Sequence, residues 1–245
     1  MYEKFAYIYD DLMRADIDYR AWYMYIEEIF NEFNYKPKNI LEMACGTGNL
    51  TYYLANTGYD LTCFDISSDM LSIAYNKLNK FKNVKLLNQD MVDFHINENF
   101  DVIISACDSI NYIENEKNLL NTFKNVKKHL KPGGMFIFDI NSYYKLKYII
   151  GNNTFVEDRE DIFYIWQNYF DEKNNIAEFY LTFFVKEENE KYIRFDETHI
   201  ERAYKTNEIN DLLKEASFNK IFCYDGFSFE KPKDKSERIT FIAIV

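Results

Sequence analysis

The chain has 245 residues, 47% of them hydrophobic, and carries a formal net charge of -11 at pH 7. This length suits one large α/β domain or two small ones, and the acidity disfavours a nucleic-acid surface, which would show clustered Lys and Arg. We therefore expect no DNA partner and disfavour RNA. A small or cationic partner suits the charge, and we expect a monomer or homodimer.

Four cysteines, Cys45, Cys63, Cys107 and Cys223, show no metal-type C-x-x-C spacing, so no metal site is predicted. The first three fall on or beside predicted strands, which indicates buried thiols in a reducing compartment. The first residues lack an apolar signal core, and no apolar run approaches the roughly 20 residues of a membrane helix. We expect a cytoplasmic protein with no membrane partner.

Residues 1–36 precede the first predicted strand. Apolar residues at helical spacing predict a helix over residues 19–33, in which Trp22 packs on the core. The upstream run, residues 5–13, is aromatic and acidic and contains Tyr9 next to Asp10.

A strand, a glycine loop and a helix follow one another within residues 40–55. The apolar pair before Glu42 ends a strand, Gly46 and Gly48 form the loop, and the helix starts at Asn49. Such a unit builds a nucleotide site at the carboxyl end of a parallel sheet. Glycines let a ligand approach bare backbone.

The same loop discriminates between ligand classes. A dinucleotide site requires G-x-G-x-x-G, but Thr51 stands where the third glycine would be. Glu42 would repel a pyrophosphate and instead suits a cationic amino group. The sequence therefore disfavours a nicotinamide dinucleotide.

Acid-x-x-x-Gly-x-Gly after a strand resembles the first motif of class I S-adenosylmethionine-dependent methyltransferases. A second strand ends at Asp65, about 20 residues after the loop, where folds of this kind bind ribose. Residues 67–70 then start a helix, with hydroxyls and an acid suited to capping. Asp90 follows a third strand and Asp108 follows a fourth, in the order that the family shows.

The resemblance implies an α/β, Rossmann-like fold: a mixed seven-stranded sheet with its last strand antiparallel and helices on both faces. It also implies S-adenosyl-L-methionine as cofactor, with its ribose on Asp65 and its adenine near Ile66, Met70 and Asp90. The cofactor-binding residues expected on this basis are Tyr9, Glu42, Ala44, Cys45, Gly46, Gly48, Asp65, Ile66, Met70, Gln89, Asp90, Met91 and Cys107.

The pattern changes after the fifth predicted strand, because residues 155–204 lose helical periodicity. Alternating apolar residues between polar turns predict three antiparallel strands over residues 162–170, 176–186 and 192–204. We expect residues 151–204 to form an inserted antiparallel sheet that covers the substrate, as such sheets do in the family. Residues 37–150 and 205–245 would form the cofactor-binding domain, and residues 1–36 a lid like the family's, with Tyr9 over the ligands. Tyr19 and Trp22 are weaker candidates for such a contact, and the alternative for all three is packing on the core.

Three residues are candidates for acting on a methyl acceptor: Asp108, His199 and Tyr9. If His199 faces the cleft, Glu197 and Glu201 face it too, because strand side chains alternate, and this acidic pocket would suit an amine. A solvated strand face is the other interpretation. Asn111 is a further candidate contact. Residues 107–110 lack the paired prolines that DNA amine methyltransferases carry at this point.

We interpret the chain as an S-adenosylmethionine-dependent methyltransferase that acts on a small-molecule nitrogen or oxygen by in-line transfer. A tRNA or protein methyltransferase would require a basic patch that the sequence lacks. A catalytically silent S-adenosylmethionine-binding protein would carry the same loop and acids and stays open, while a nicotinamide oxidoreductase is the weakest alternative.

Overall fold

A computed structural model describes residues 2–187 and 191–245, with side chains described from residue 8 onward. Its helices are α1 (Tyr2–Asp16), α2 (Tyr19–Glu32), α3 (Asn49–Thr57), α4 (Ser68–Leu78), α5 (Glu116–His129) and α6 (Thr206–Glu215). Its strands are β1 (Asn39–Met43), β2 (Asp60–Asp65), β3 (Val84–Asn88), β4 (Phe100–Ser105), β5 (Leu130–Asn141), β6 (Thr154–Asp158), β7 (Ile162–Asp171), β8 (Ile176–Lys186), β9 (Tyr192–Arg202), β10 (Lys220–Asp225) and β11 (Arg238–Ile244).

The large sheet has seven strands in the order β10-β11-β5-β4-β1-β2-β3. Strand β11 pairs antiparallel with both β5 and β10, while the pairs from β5 across to β3 are parallel. The order reverses beside β1, between β2 and β4, which is where open parallel sheets bind ligands at the carboxyl ends of their strands. The predicted Rossmann-like fold, with its last strand antiparallel, is confirmed.

Helices cover both faces of this sheet because alternate strand residues point to opposite sides. One buried cluster joins β5 to α5 and α6 through residues such as Phe123, Phe138 and Leu213. The other joins β1 and β4 to α2 and α3 through residues such as Ile29 and Leu54. The helices begin at identifiable caps: the Asp18 carboxylate accepts from Ala21 N at 2.9 Å, and Ser67 Oγ accepts from Met70 N at 3.3 Å.

The second sheet has four strands in the order β6-β7-β8-β9, not the three that the sequence predicts. The overlooked strand is β6, whose residues are all exposed. Among the described residues it pairs only with β7, at the sheet edge, so no buried face imposes the apolar alternation by which strands are predicted. A 3-10 helix, Ser109–Tyr112, follows β4, and a π-helical turn, Lys145–Ile150, joins β5 to this smaller sheet.

The helices of the described ranges include none that is both long and apolar enough to cross a membrane.

Candidate functional site

The glycine loop between β1 and α3 adopts a backbone shape that side chains resist. Gly46 and Gly48 have φ angles of 54° and 75°, and Ala44 also lies in the left-handed region at 52°. A Cβ at Gly48 would come within 2.7 Å of Leu78 Cδ1, so this glycine lets α4 pack against the loop. A Cβ at Gly46 would meet nothing within 4 Å, so Gly46 borders open space that a ligand can fill.

Asp65, at the end of β2, fastens this loop. One carboxylate oxygen accepts from Gly46 N at 2.8 Å and the other from Ser67 N at 2.9 Å. Burial raises the pKa of Asp65, and the backbone donors of Ser67 and Gly46 work in the opposite direction. Each carboxylate oxygen has a second lone pair, so Asp65 can accept further hydrogen bonds from ligand hydroxyls.

Glu42, at the end of β1, is 3% exposed. Burial raises its pKa to about 7, although Thr51 Oγ1 donates to its carboxylate at 2.6 Å. Thr51 thus explains the departure from the dinucleotide motif: the residue at the third-glycine position is the hydrogen-bond donor to Glu42. A cationic ligand group beside Glu42 would favour its ionised form.

The predicted adenine contacts lie at the same edge of the sheet. Ile66 is 69% exposed directly after Asp65, and Met70 lies half-buried in the first turn of α4. Asp90 is exposed and uses one oxygen to accept from Val92 N at 2.9 Å. Gln89 N donates to Asp65 O at 3.1 Å, and this bond holds the segment with Met91 beside β2. The structure therefore brings these residues together with Asp65.

Helix α1 is fixed over the loop by a polar network that the sequence analysis did not anticipate. Asp10, 7% exposed, accepts from Thr47 Oγ1 at 2.5 Å, from Asn49 Nδ2 at 2.9 Å and from Lys77 Nζ at 2.9 Å. Burial opposes ionisation of Asp10, but the hydrogen bonds from Lys77 and the other donors lower its pKa. The contact partners lie 37 to 67 positions away, so no local pattern reveals them.

This network places Tyr9 at the mouth of the site. Burial raises the pKa of the Tyr9 hydroxyl, and Tyr112, Tyr19, Cys107 and Asp108 raise it further because they lie close by. Cys107 and Asp108 have φ angles of 58° and 54°, an uncommon left-handed pair one residue beyond the end of β4. The predicted lid residue and the predicted residues at the end of β4 are therefore neighbours.

Four ionisable residues, Asp108, Asp139, Glu201 and Arg238, form a cluster beyond the end of β4. We call it the acceptor cluster, because the sequence analysis expects the methyl acceptor at Asp108. Arg238 Nη2 lies 2.8 Å from Asp108 Oδ1, and Arg238 also pairs with Asp139. Asp108 N donates to Asp139 Oδ2 at 3.0 Å. Burial raises the pKa of Asp139 to about 6 against the opposing effect of Arg238. Sequence reasoning missed Arg238, which no local motif marks.

The inserted sheet contributes His199 and Glu201 to the same region. His199 Nδ1 lies 3.3 Å from Tyr112 Oη in the 3-10 helix, and burial lowers the pKa of His199. Glu201 is 3% exposed, and Asn141 Nδ2 donates to it at 3.1 Å. Burial raises the pKa of Glu201 to about 8, and Asp108 adds to this. Glu197 is partly buried on the same face. This face is therefore buried at Glu201 and partly open to solvent at Glu197 and His199.

Two other residues named in the sequence analysis stabilise the fold. Asn111, a candidate ligand contact, is fully buried, donates to Asn141 O at 3.1 Å and Arg202 O at 2.9 Å, and accepts from Asn141 N at 3.0 Å. Its amide joins β5, β9 and the 3-10 helix, so Asn111 has a structural role and not the expected ligand contact. Trp22 is 3% exposed and packs edge-on against Phe227, as the core interpretation predicts.

Comparison with known proteins agrees with this geometry. Residues 40–134 match the family model of a methyltransferase domain. The chain is 36% identical to the putative methyltransferase YqeM of Bacillus subtilis, over 99% of this chain and 96% of that protein. A solved S-adenosylmethionine-dependent methyltransferase from Clostridium acetobutylicum is 43% identical, with a TM-score of 0.90 over 100% of this chain and 98% of the other.

A more distant likeness concerns the fold alone. The solved amino pentose methyltransferase CalS10 from Micromonospora echinaspora is 15% identical, with a TM-score of 0.79 over 97% of this chain and 96% of the other. A glycine loop of this shape, with an acid at the end of each of the first two strands, defines a nucleoside-binding Rossmann-like fold. The chain belongs to the class I S-adenosylmethionine-dependent methyltransferase family, and S-adenosylmethionine is its cofactor.

Proposed function

We propose that this protein transfers a methyl group to a nitrogen or oxygen atom of a small molecule bound between α1 and the inner face of the inserted sheet. The observation that carries the proposal is the contact between His199 and Tyr112, at 3.3 Å. It brings the inserted sheet to the carboxyl end of β4. In this proposal residues 1–36 are the lid, residues 37–150 and 205–245 hold the cofactor, and residues 151–204 cover the substrate.

The residues around the glycine loop fit S-adenosylmethionine. The open space at Gly46 would admit the cofactor to the backbone, Asp65 would accept from its ribose hydroxyls, and Glu42 would face its cationic amino group. Ile66 and Met70 would flank the adenine, and Asp90 retains an oxygen for the adenine amine. Ala44, Cys45, Gly48, Gln89, Met91, Cys107 and Tyr9 would complete this shell.

When bound, the cofactor supplies an electrophilic methyl group on a sulfonium. The protein therefore has mainly to position the acceptor and exclude water. Burial keeps the pKa of His199 below its usual value, so the imidazole is neutral near pH 7 and can accept a proton from an amine or hydroxyl. Asp108 and Tyr9 would orient the acceptor from the opposite side.

Several observations support a small acceptor. Arg159 in the turn after β6 pairs with Asp16 of α1 at 2.8 Å, so the lid and the inserted sheet meet above the site. The net charge of -11 disfavours RNA. CalS10, a distant relative in fold, is described as an amino pentose methyltransferase, which is consistent with a small amine acceptor.

The proposal is tested with a methyl-labelled donor and a fractionated cell extract. We expect label to enter a small-molecule fraction, and His199→Gln to reduce kcat/KM for that acceptor by roughly 10²–10⁴-fold. The affinity for S-adenosylhomocysteine should not change, since His199 lies on the acceptor side. His95→Gln is the matched control, because the His95 ring is exposed.

Other outcomes identify the alternatives. Label found only in RNA or protein would show that the methyl acceptor is a macromolecule and not a small molecule. Binding of S-adenosylhomocysteine without labelling of any fraction would indicate a catalytically silent binding protein.

A further inference from the structure

A groove of about 510 Å³ opens beside the acceptor cluster, under the connection between β10 and β11. Its volume lies within the range of small-molecule sites. Four cationic side chains line it, Lys145, Lys233, Lys235 and Arg238, together with the acids Asp225 and Glu237. Two of these cations already have carboxylate partners, because Lys233 Nζ lies 2.9 Å from Glu230 and Arg238 pairs with Asp108 and Asp139. Lys145 and Lys235 therefore supply the positive charge that a ligand in the groove would meet first.

The groove is linked to the acceptor cluster by direct contacts. Lys145 Nζ donates to Asn141 Oδ1 at 2.9 Å, and Asn141 Nδ2 donates to Glu201 at 3.1 Å. Arg238 lines the groove and pairs with Asp108 at 2.8 Å. A ligand in the groove therefore lies one side chain away from the groups that we propose orient the acceptor.

The loop that carries the lysines is shaped before any ligand arrives. Lys233 N donates to Ser236 Oγ at 2.8 Å, and Ser236 is 6% exposed. Ser236 N in turn donates to Lys233 O at 3.1 Å. This closed turn presents Lys233 and Lys235 at the same groove, which lowers the cost of ordering the loop on binding.

We propose that the methyl acceptor carries a phosphate group, that this phosphate binds in the lysine groove, and that the reacting amine or hydroxyl then lies at Glu201 and His199. The inference rests on the proposed function. Lysine ammonium groups bind phosphate as compact point charges. The lysines would hold the phosphate at one end, and the neutral His199 imidazole and the Glu201 carboxyl would accept hydrogen bonds from the amine or hydroxyl at the other end.

The groove is tested without turnover, with inorganic pyrophosphate as the probe. Titration calorimetry at low salt, with S-adenosylhomocysteine saturating the cofactor site, should show binding. The double variant Lys233→Gln/Lys235→Gln should weaken this binding at least tenfold. The control Lys117→Gln/Lys128→Gln removes the same charge from exposed positions of α5 and should change binding less than twofold.

Two outcomes would contradict the proposal that the groove binds phosphate. One is the absence of pyrophosphate binding. The other is an equal loss in both double variants, since that would show a response to net charge alone.

The acceptor itself is tested by treating the active metabolite fraction with alkaline phosphatase, which is then removed. We expect at least a tenfold loss of label transfer, and an unchanged yield would overturn the phosphate assignment while leaving the methyltransferase proposal intact. If no small-molecule fraction is labelled at all, the proposed function fails instead, and the pyrophosphate titration still decides whether the groove binds phosphate.

Discussion

The two ends of the site are built differently. At the proposed donor end, Asp65 is held by backbone amides, and its partner Gly46 lies 19 positions away in the chain. At the proposed acceptor end, Arg238 holds Asp139, 99 positions away, and His199 meets Tyr112, 87 positions away. Local backbone shape organises the first end, whereas paired side chains from distant strands organise the second. Substitutions at the two ends should therefore affect stability and binding in different ways.

The largest expected effect is at the acceptor end. Arg238→Met leaves Asp139, which is fully buried, without its cation. Removing one partner of a buried pair costs about 3–5 kcal/mol, and we expect a loss of this size in the free energy of unfolding by urea. Arg194→Met is the control, because its pair with Asp196 is exposed and should contribute less than about 1 kcal/mol. Equal losses would remove the contrast between the ends.

The glycine loop should respond through its backbone. Gly48→Ala forces a left-handed alanine, which costs about 1–2 kcal/mol, and crowds Leu78 Cδ1 at 2.7 Å. We expect about 2–4 kcal/mol lower stability in total. Gly46→Ala shares the backbone cost without the clash, so it should unfold less readily than Gly48→Ala yet lose affinity for S-adenosylhomocysteine. Calorimetry and urea unfolding on both variants separate packing from ligand access.

Both ends contain a buried glutamate with a raised pKa, so pH provides a third comparison. Folding raises the pKa of Glu42 from 4.5 to about 7. Between these values the folded state binds more protons than the unfolded state, so stability falls as pH rises from about 4.5 to about 7 and then levels off. We expect Glu42→Gln to reduce this fall by up to about 3 kcal/mol.

Glu201→Gln should act over a wider window, because the pKa of Glu201 is raised from 4.5 to about 8. Urea unfolding across this pH range measures both effects. Parallel curves for wild type and both variants would contradict the assignment of neutral buried carboxyls.

The smallest expected effect concerns the cofactor ribose. Asp65→Ala should weaken binding of S-adenosylhomocysteine by roughly 1.5–3 kcal/mol, the value of hydrogen bonds to a charged acceptor. Asp60→Ala, at the exposed start of the same strand β2, is the matched control and should leave affinity unchanged. If calorimetry shows unaltered binding by the Asp65 variant, the ribose does not bind this carboxylate.

The same difference decides which features of the protein can be predicted from its sequence. The fold and the cofactor could be predicted because Glu42, Gly46 and Asp65 sit in a short strand-loop-helix pattern with fixed spacing. Arg238 and Asp10 could not, since their partners come from elements far apart in the chain. Strand β6 escaped prediction because its exposed residues show no apolar alternation. The face of His199 was left open until the register of β9 against β8 was known.

Two contacts of unequal strength hold helix α1 against the rest of the protein. Near its middle, Asp10 lies in a buried network with Thr47, Asn49 and Lys77, whereas at its end Asp16 meets Arg159 in a pair open to solvent. An exposed pair contributes about 1 kcal/mol or less and weakens with salt. We therefore expect the helix to detach first at its Asp16 end and to pivot about Asp10, so that ionic strength would set how fast product leaves.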